Sequence, residues 1–106
     1  MDALVEKNIN TVAKAIKFKE VITFQYSDGE KYRVEPFCMG IHKTSKNYVV
    51  RCYCNNPSES KDNLENWRLF DLDKMTEIRL TAVRIKDSRS GYTGRDSEIS
   101  KMLASI

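Results

Sequence analysis

Two different periods of hydrophobic and polar residues follow one another along the chain. From Asp2 to Phe18 the apolar positions recur every three or four residues, which predicts one amphipathic helix whose apolar stripe covers a core. From Glu20 the period changes to two, and Ser27-Asp28-Gly29 separates this run from a second one between Glu30 and Met39. We therefore expect a β-hairpin, whose second strand ends or lies at an edge at Pro36.

The densest run of strand-forming residues lies between Asn47 and Asn55, where Val, Tyr and Cys fill nearly every position. Both faces of such a strand are apolar, which is typical of a central strand that is covered on both sides. Arg51 is the single charged residue in the run, so it has to reach a partner, a pocket edge or solvent.

The segment after residue 66 continues the strand pattern. We expect a fourth strand from Trp67 to Leu72 and a short helical turn at residues 71–75. A fifth strand is expected from Thr76 to Lys86. The apolar phase slips inside this last strand, which predicts a bulge or bend near Thr81-Ala82.

The polar segments 56–66 and 87–94 are expected to be connections. The last residues favour a helix over a strand, because Asp96 can cap a helix and four apolar residues follow at helical spacing, namely Ile99, Met102, Leu103 and Ile106.

The order of these elements predicts a mainly β (α+β) fold. A helix followed by five short antiparallel strands with one bend is typical of a small SH3-like or Sm-like barrel, in which closure of the sheet removes exposed edges. At 106 residues we expect a single domain, with an N-terminal helix over 1–19, a β-barrel over 20–86 and a C-terminal extension with a short helix over 87–106.

Composition and charge narrow the class of protein. Hydrophobic residues at 41% and charged residues at 31% are ordinary for a globular protein. The first residues are too polar for a secretory signal and no segment has membrane-spanning length, so we expect a cytoplasmic protein with no membrane partner. The net charge of +3 favours an anionic partner only weakly, although six Lys or Arg stand against three acids from Arg79 to Lys101.

Metal binding and catalysis are both poorly supported by the residue patterns. Cys38, His42, Cys52 and Cys54 have the right chemistry for zinc, but their spacing differs from that of a zinc knuckle, so we prefer buried reduced thiols and expect no metal. The chain has one His and no glycine-rich elbow or phosphate loop, which indicates no enzyme and no cofactor. A carboxylate-based hydrolase stays open, although no pair of acids stands out.

Four segments, taken in order, resemble the WYL domain family over roughly residues 10–80. They are Val12 to Ile16 with Ile22 to Tyr26, then Arg33-Val34-Glu35-Pro36, then Asn47-Tyr48-Val49, and finally Arg68 to Met75. The chain departs from the family pattern at three positions. Asn47 and Val49 replace the Trp and Leu of the name motif, and Asp71 replaces an Arg that the family commonly keeps, so the ligand site is altered or its ligand differs.

The resemblance implies an Sm-like barrel that binds a ligand, often thought to be a nucleotide or nucleic acid, in bacterial transcription regulators and in phage-defence and CRISPR-associated proteins. On that basis we expect Arg33, Arg68 and Tyr48 to converge on one phosphate, with two guanidinium forks and a phenol. Arg51, Tyr53 and His42 are the predicted rim. For each Arg the alternative interpretation is a surface ion pair, for example with Glu35 or Asp73.

Two hypotheses of function follow. The first is a non-enzymatic regulatory module that binds single-stranded nucleic acid or a nucleotide-like, phosphate-bearing ligand. The second is an interaction protein without a ligand, which forms a homo-oligomer or docks a protein partner through Ile99, Met102 and Leu103. The two hypotheses are compatible.

Overall fold

The fold is one helix packed on one antiparallel β-sheet. The computed structural model describes residues 3–54, 67–85 and 96–106, and within them it has six strands. The elements are α1 (Ala3–Phe18), β1 (Glu20–Tyr26), β2 (Lys31–His42), β3 (Tyr48–Cys54), β4 (Trp67–Asp71), a 3-10 turn (Leu72–Lys74), β5 (Met75–Arg84) and β6 (Ile99–Ser105).

The N-terminal helix confirms the amphipathic pattern. Val12, Ala15 and Ile16 are buried in the main core, so the apolar stripe covers the sheet as expected. Asn8 lies on the same buried side, and its amide donates to the carbonyl oxygens of Leu72 at 2.8 Å and Met75 at 2.9 Å. The helix is therefore fixed both by apolar contact and by two hydrogen bonds to the turn before β5.

The hairpin of β1 and β2 is also confirmed. Ile22 lies opposite Val34, Phe24 lies opposite Tyr32, and Gly29 has φ +84°, a conformation that favours glycine. The side chains of Ile22, Phe24, Tyr32 and Val34 pack in the main core under α1. We call the side of the sheet on which they lie the inner face, and the opposite side the outer face.

Strand β2 organises the sheet. The run after Asn47 forms β3, which lies between β2 and β4 and has Val49 and Val50 buried on its two faces, so the prediction of a central strand covered on both sides is confirmed. β2 pairs with β3 along one edge, and along its other edge with β1 and then with β6. The strand does not end at Pro36, because a bulge between Pro36 and Cys38 accommodates the missing N–H donor and the ladder continues to His42.

The predicted turn and bulge after β4 are confirmed. The 3-10 turn links β4 to β5, and the register of β5 shifts where Ala82 has φ +65°. The hydroxyl of Thr81 donates to the Val21 carbonyl at 2.8 Å, and the Ala82 N–H donates to the Glu20 carboxylate at 2.8 Å. These two bonds replace ladder bonds that the bulge interrupts.

The predicted C-terminal helix is wrong, because the segment forms strand β6 against the second half of β2. Two turns of helix are marginal alone, whereas β2 offers an edge that pairs the segment's backbone along its length. The strands approach so closely that a side-chain Cβ at Gly40 would overlap the Lys101 carbonyl and the Ile99 side chain. Ala104 and Ile106 also pack against the main core.

The sheet has six strands instead of five, and it does not close into a barrel. The order is β4-β3-β2-β1-β5 with β6 beside β2, so β4 and β5 stand at opposite ends and do not pair within the described residues. The strands contribute instead to one core beneath α1. The predicted connections at 56–66 and 87–94 lie outside the described residues.

Candidate functional site

The three side chains predicted to converge on a phosphate lie apart. Tyr48 packs against the main core, and Arg68 pairs with Cys52 of the same core, so both belong to the inner face. Tyr48 lies four positions before Cys52 in β3, which corresponds to about 13 Å along a strand. Arg33 alternates with Tyr32 and Val34 and therefore lies on the outer face. Their individual roles in binding remain predictions.

The Arg68 guanidinium lies against two aromatic rings at the edge of the inner face. Its guanidinium carbon lies 5.2 Å from the ring centre of Tyr32 and 5.4 Å from that of Phe70. Those rings belong to an aromatic cluster with Phe24 and Tyr26, in which ring centres are 5.0 to 6.2 Å apart. We call Arg68, Tyr32 and Phe70 the Arg68 platform. Its cation–π contacts orient a charged group that remains exposed.

A hydrogen-bond chain fixes the platform further. Arg68 Nη1 donates to the Tyr32 hydroxyl at 3.4 Å, and that hydroxyl donates to Asp28 Oδ2 at 2.7 Å. The bond from Tyr32 and that from the Glu30 N–H, helped by the Arg68 charge, lower the pKa of Asp28. Burial and the bond to Asp28 raise the pKa of Tyr32. At neutral pH the phenol is therefore a donor to a carboxylate, which leaves its oxygen to accept from Arg68.

The predicted rim residues Arg51 and His42 hold β6 in place. Arg51 donates through Nε to Asp96 Oδ2 at 2.5 Å and through Nη2 to Oδ1 at 3.2 Å. His42 Nε2 lies 3.3 Å from Glu98 Oε2, and its Nδ1 accepts backbone N–H bonds from residues 44 and 45. We call Arg51, Asp96, His42 and Glu98 the β6 clasp. Arg51 therefore forms an ion pair, which was the alternative interpretation of each Arg, and its partner is Asp96.

The electrostatics of the clasp favour the charged carboxylate. Burial alone raises the pKa of Asp96, but the hydrogen bonds from Arg51 and from the Glu98 N–H, together with the Arg51 charge, outweigh it and lower that pKa. Asp96 also makes the turn into β6, since its backbone carbonyl accepts from the Ile99 N–H at 3.1 Å. The predicted cap residue therefore starts a strand.

Tyr53 lies on the outer face, away from Arg68. Its ring meets Trp67 edge to face with centres 5.2 Å apart, and Trp67 also contacts Phe37 at 5.1 Å. Tyr53 is paired with Trp67 in the ladder of β3 and β4. The structure therefore places Tyr53, a predicted rim residue, in an aromatic contact with Trp67 on the face opposite Arg68.

The residues predicted to bind a partner divide into two groups. Ile99 is buried with Cys38 and Val49 in a small outer-face core, so it belongs to the fold. Met102 and Leu103 are 37% and 43% exposed on β6. Only these last two present apolar surface to a neighbour.

The cysteines lie in different environments. Cys38 belongs to the small outer-face core and Cys52 to the main core, while Cys54 is partly exposed. Burial, with a smaller contribution from Asp96, raises the pKa of Cys38 to about 11. Across the described ranges no group of three or more His, Cys, Asp or Glu side chains could hold a metal ion.

The pattern reasoning missed a set of residues on the outer face. A hollow of about 140 Å³ is lined by Thr23, Phe24, Gln25, Lys31, Glu77 and Arg79. Lys31 and Arg33 are two positions apart on β2, so their side chains lie on the same solvent-facing side of the strand. This spacing was the feature of the sequence from which the pair could have been found. Arg79 joins them only through the register of β5 with β1, which no local pattern gives.

The fold and the Arg68 platform together define a class: a mainly β module with a helix over one face and an exposed, oriented guanidinium at its edge. The chain belongs to the WYL domain family, which matches residues 7–80. Comparison with the curated proteins and with the solved structures gave no match. Within residues 3–54, 67–85 and 96–106, no helix is long and apolar enough to cross a membrane.

Proposed function

We propose that the protein is a non-enzymatic regulatory module that binds a phosphate-bearing ligand or single-stranded nucleic acid through the Arg68 platform. WYL domains are in general regulatory, non-catalytic modules that bind ligands or nucleic acids, and the matched residues 7–80 include Arg68. The observation that carries the proposal is the state of this guanidinium. It is exposed, lies against two rings and, within the described residues, forms no ion pair with a carboxylate.

The chemistry of the platform suits a nucleotide. A guanidinium that is already oriented loses less rotamer entropy when it binds, and it offers donors to a phosphate or a face to a base. Asp71 stands where the family pattern has a second Arg, and its carboxylate lies 3.3 Å from Lys74. Because Asp71 replaces that Arg, the platform has one guanidinium where the family pattern has two Arg residues. The smaller positive charge favours a less highly charged ligand.

The fold supports the same proposal at the level of architecture. Residues from α1 and from the strands, including β6, share one core, which supports a single domain over 1–106. The segment 87–106 then supplies a strand to that domain. We include an Sm-like relationship in the proposal, on the grounds of the leading helix and the long, bulged β2.

Titration of a labelled single-stranded oligonucleotide at low salt, read by fluorescence anisotropy, tests the platform. We expect Arg68→Ala to weaken binding about tenfold or more, because stacking on a base contributes about 1–3 kcal/mol. Arg68→Lys keeps the charge but loses the planar fork, so its affinity should fall between that of the natural protein and that of Arg68→Ala. Lys14→Ala removes one charge from the exposed side of α1 and is the matched control. Equal affinities for Arg68→Ala and Lys14→Ala would show that the platform does not bind.

Self-association through β6 is a second candidate, favoured by the exposure of Met102 and Leu103 on a strand that pairs only with β2 among the described strands. Removal of the C-terminal segment is not a clean test, because Ala104 and Ile106 pack in the core. Met102→Ser with Leu103→Ser keeps the strand. Light scattering should show an oligomer for the natural protein and a monomer for this variant. A natural protein that is monomeric at high concentration would exclude the candidate.

A further inference from the structure

Three cations gather on the outer face of β1, β2 and β5. In the strand register Arg33 and Arg79 lie on either side of Thr23, and Lys31 lies beside Gln25. One strand spacing on each side of Thr23 puts the two Arg Cα atoms about 9–10 Å apart, and Lys31 lies about 7 Å from Arg33 along β2. We call Lys31, Arg33 and Arg79 the outer basic row.

The three cations of the row form no ion pairs with described acids. All three side chains are exposed, and no ion pair within 4.0 Å involves any of them in the part of the chain that the structure describes. Like charges placed close together on a sheet face destabilise it, so a fold usually intersperses acids. Thr23 and Gln25 stand between these cations instead. The row therefore raises the local positive potential, and the repulsion between its cations destabilises the sheet face. A bound anion would offset this repulsion.

The hollow beside the row sets the size of the anion. It has a volume of about 140 Å³ and is lined by Lys31, Arg79, Thr23 and Gln25, and Glu77 is the one acid among the described lining residues. Sites that enclose whole drug-sized ligands have volumes of roughly 300–1,000 Å³, so this hollow suits a single small group. A hydroxyl, an amide and two cationic side chains are the donors that a phosphate takes.

We propose that the outer basic row and this hollow form a second site, which binds one phosphate group. The site lies across the sheet from the Arg68 platform and goes beyond the function proposed above. A free phosphate compound and the backbone of a nucleic acid share this chemistry. In the second case Arg33, which lies beyond the hollow in the same row, meets a neighbouring phosphate.

The test variant is Lys31→Gln with Arg33→Gln and Arg79→Gln, and its control is Lys7→Gln with Lys14→Gln and Lys43→Gln. Each set lowers the formal net charge from +3 to 0, so both variants lose the same overall attraction. The control residues are exposed and lie on α1 or in the turn after β2. A difference between the two variants therefore reports the position of the charges.

Binding of a single-stranded oligonucleotide is measured across a salt series. Each phosphate contact adds about 0.7 to the slope of log affinity against log salt, so loss of the contacts to two phosphates should lower the slope by about 1.4. We expect the test variant to bind about tenfold more weakly than the control at low salt. Equal affinities and slopes for the two variants would overturn the proposal.

A change of opposite sign sharpens the test. Glu77 lines the hollow at φ +53°, and Glu77→Gln keeps the side-chain shape and backbone strain while removing the acid that the described residues place there. We expect the affinity of Glu77→Gln for the oligonucleotide to be about two- to threefold higher than that of the natural protein, which is the effect expected of one partly screened charge. Unchanged or weaker binding by Glu77→Gln would contradict a phosphate in the hollow.

Amide chemical-shift titrations with inorganic phosphate and with the oligonucleotide separate the two sources. Saturable shifts at Thr23 and Gln25 with phosphate alone indicate a site for a free phosphate group. Shifts there only with the oligonucleotide indicate backbone binding, and no shift there with either ligand refutes the site. Because Arg68 is intact in both triple variants and in Glu77→Gln, loss of platform binding and loss of outer-face binding are measured independently.

Discussion

The Arg51–Asp96 pair gives the sharpest test of how β6 is held. The perturbation is Asp96→Asn, which preserves shape but removes the carboxylate charge. The Asp96 side chain is only 7% exposed and that of Arg51 21%, so the pair is largely shielded from water. Removing one partner of a fully buried pair costs about 3–5 kcal/mol. Because Arg51 retains some access to solvent, we expect a loss of about 2–3 kcal/mol in the free energy of unfolding.

The assay is urea denaturation followed by fluorescence of Trp67, the only Trp in the chain, whose ring contacts Tyr53 beside the pair. The pH dependence has a defined sign. The folded-state pKa of Asp96 is lowered from 3.8, so its contribution is complete above that value and is lost as the pH falls through the lower folded-state value. The difference between natural and variant protein should therefore be constant from pH 7 to about 5 and shrink below about 4.

Two results would refute this reasoning. A variant whose stability at pH 7 lies within about 0.5 kcal/mol of the natural protein would show that the pair is no stronger than an exposed one. A difference that stays constant down to pH 3 would show that the loss comes from packing and not from the charge of Asp96. Asp73→Asn, at an exposed acid in the 3-10 turn, is the control for loss of a surface charge.

Three further substitutions or reactions probe the fold. Gly40→Ala should lower the free energy of unfolding by about 1–3 kcal/mol and speed amide exchange in β6, because the added methyl group overlaps that strand; unchanged exchange would contradict the close approach. Asn8→Leu should cost about 1–3 kcal/mol in thermal or urea unfolding, because two buried carbonyls lose their donor. With a thiol reagent in native buffer, Cys54 should react first and Cys38 and Cys52 only on unfolding, since burial raises the pKa of both; prompt labelling of all three would contradict their placement.

Local patterns were enough to predict the parts of the fold that depend on neighbouring residues. The apolar stripe of α1, the hairpin turn at Gly29 and the slip at Ala82 each leave a signature within a few residues. The C-terminal segment was different. Its apolar residues fit a helix, but the deciding fact was the unoccupied edge of β2, which lies some 60 positions earlier in the chain. Tertiary pairing overrode local periodicity there.

The candidate site was predictable in chemistry but not in arrangement. Arg68 and Arg33 could be chosen by residue type, yet the face that each occupies depends on register, and a shift of one residue reverses it. The ladder places Arg68 with Phe70 on the inner face, whereas Arg33 lies with Thr23 on the outer face. The two guanidinium groups expected in one pocket thus lie on opposite faces of one sheet.

The central claim is that this WYL domain binds its ligand at the Arg68 platform. The most direct measurement is an amide chemical-shift titration of the isotope-labelled natural protein with a single-stranded oligonucleotide at low salt. We expect saturable shifts at Tyr32, Arg68 and Phe70, which are lost in Arg68→Ala and retained in Lys14→Ala. Saturable shifts that spare these three residues, or that persist unchanged in Arg68→Ala, would contradict the account.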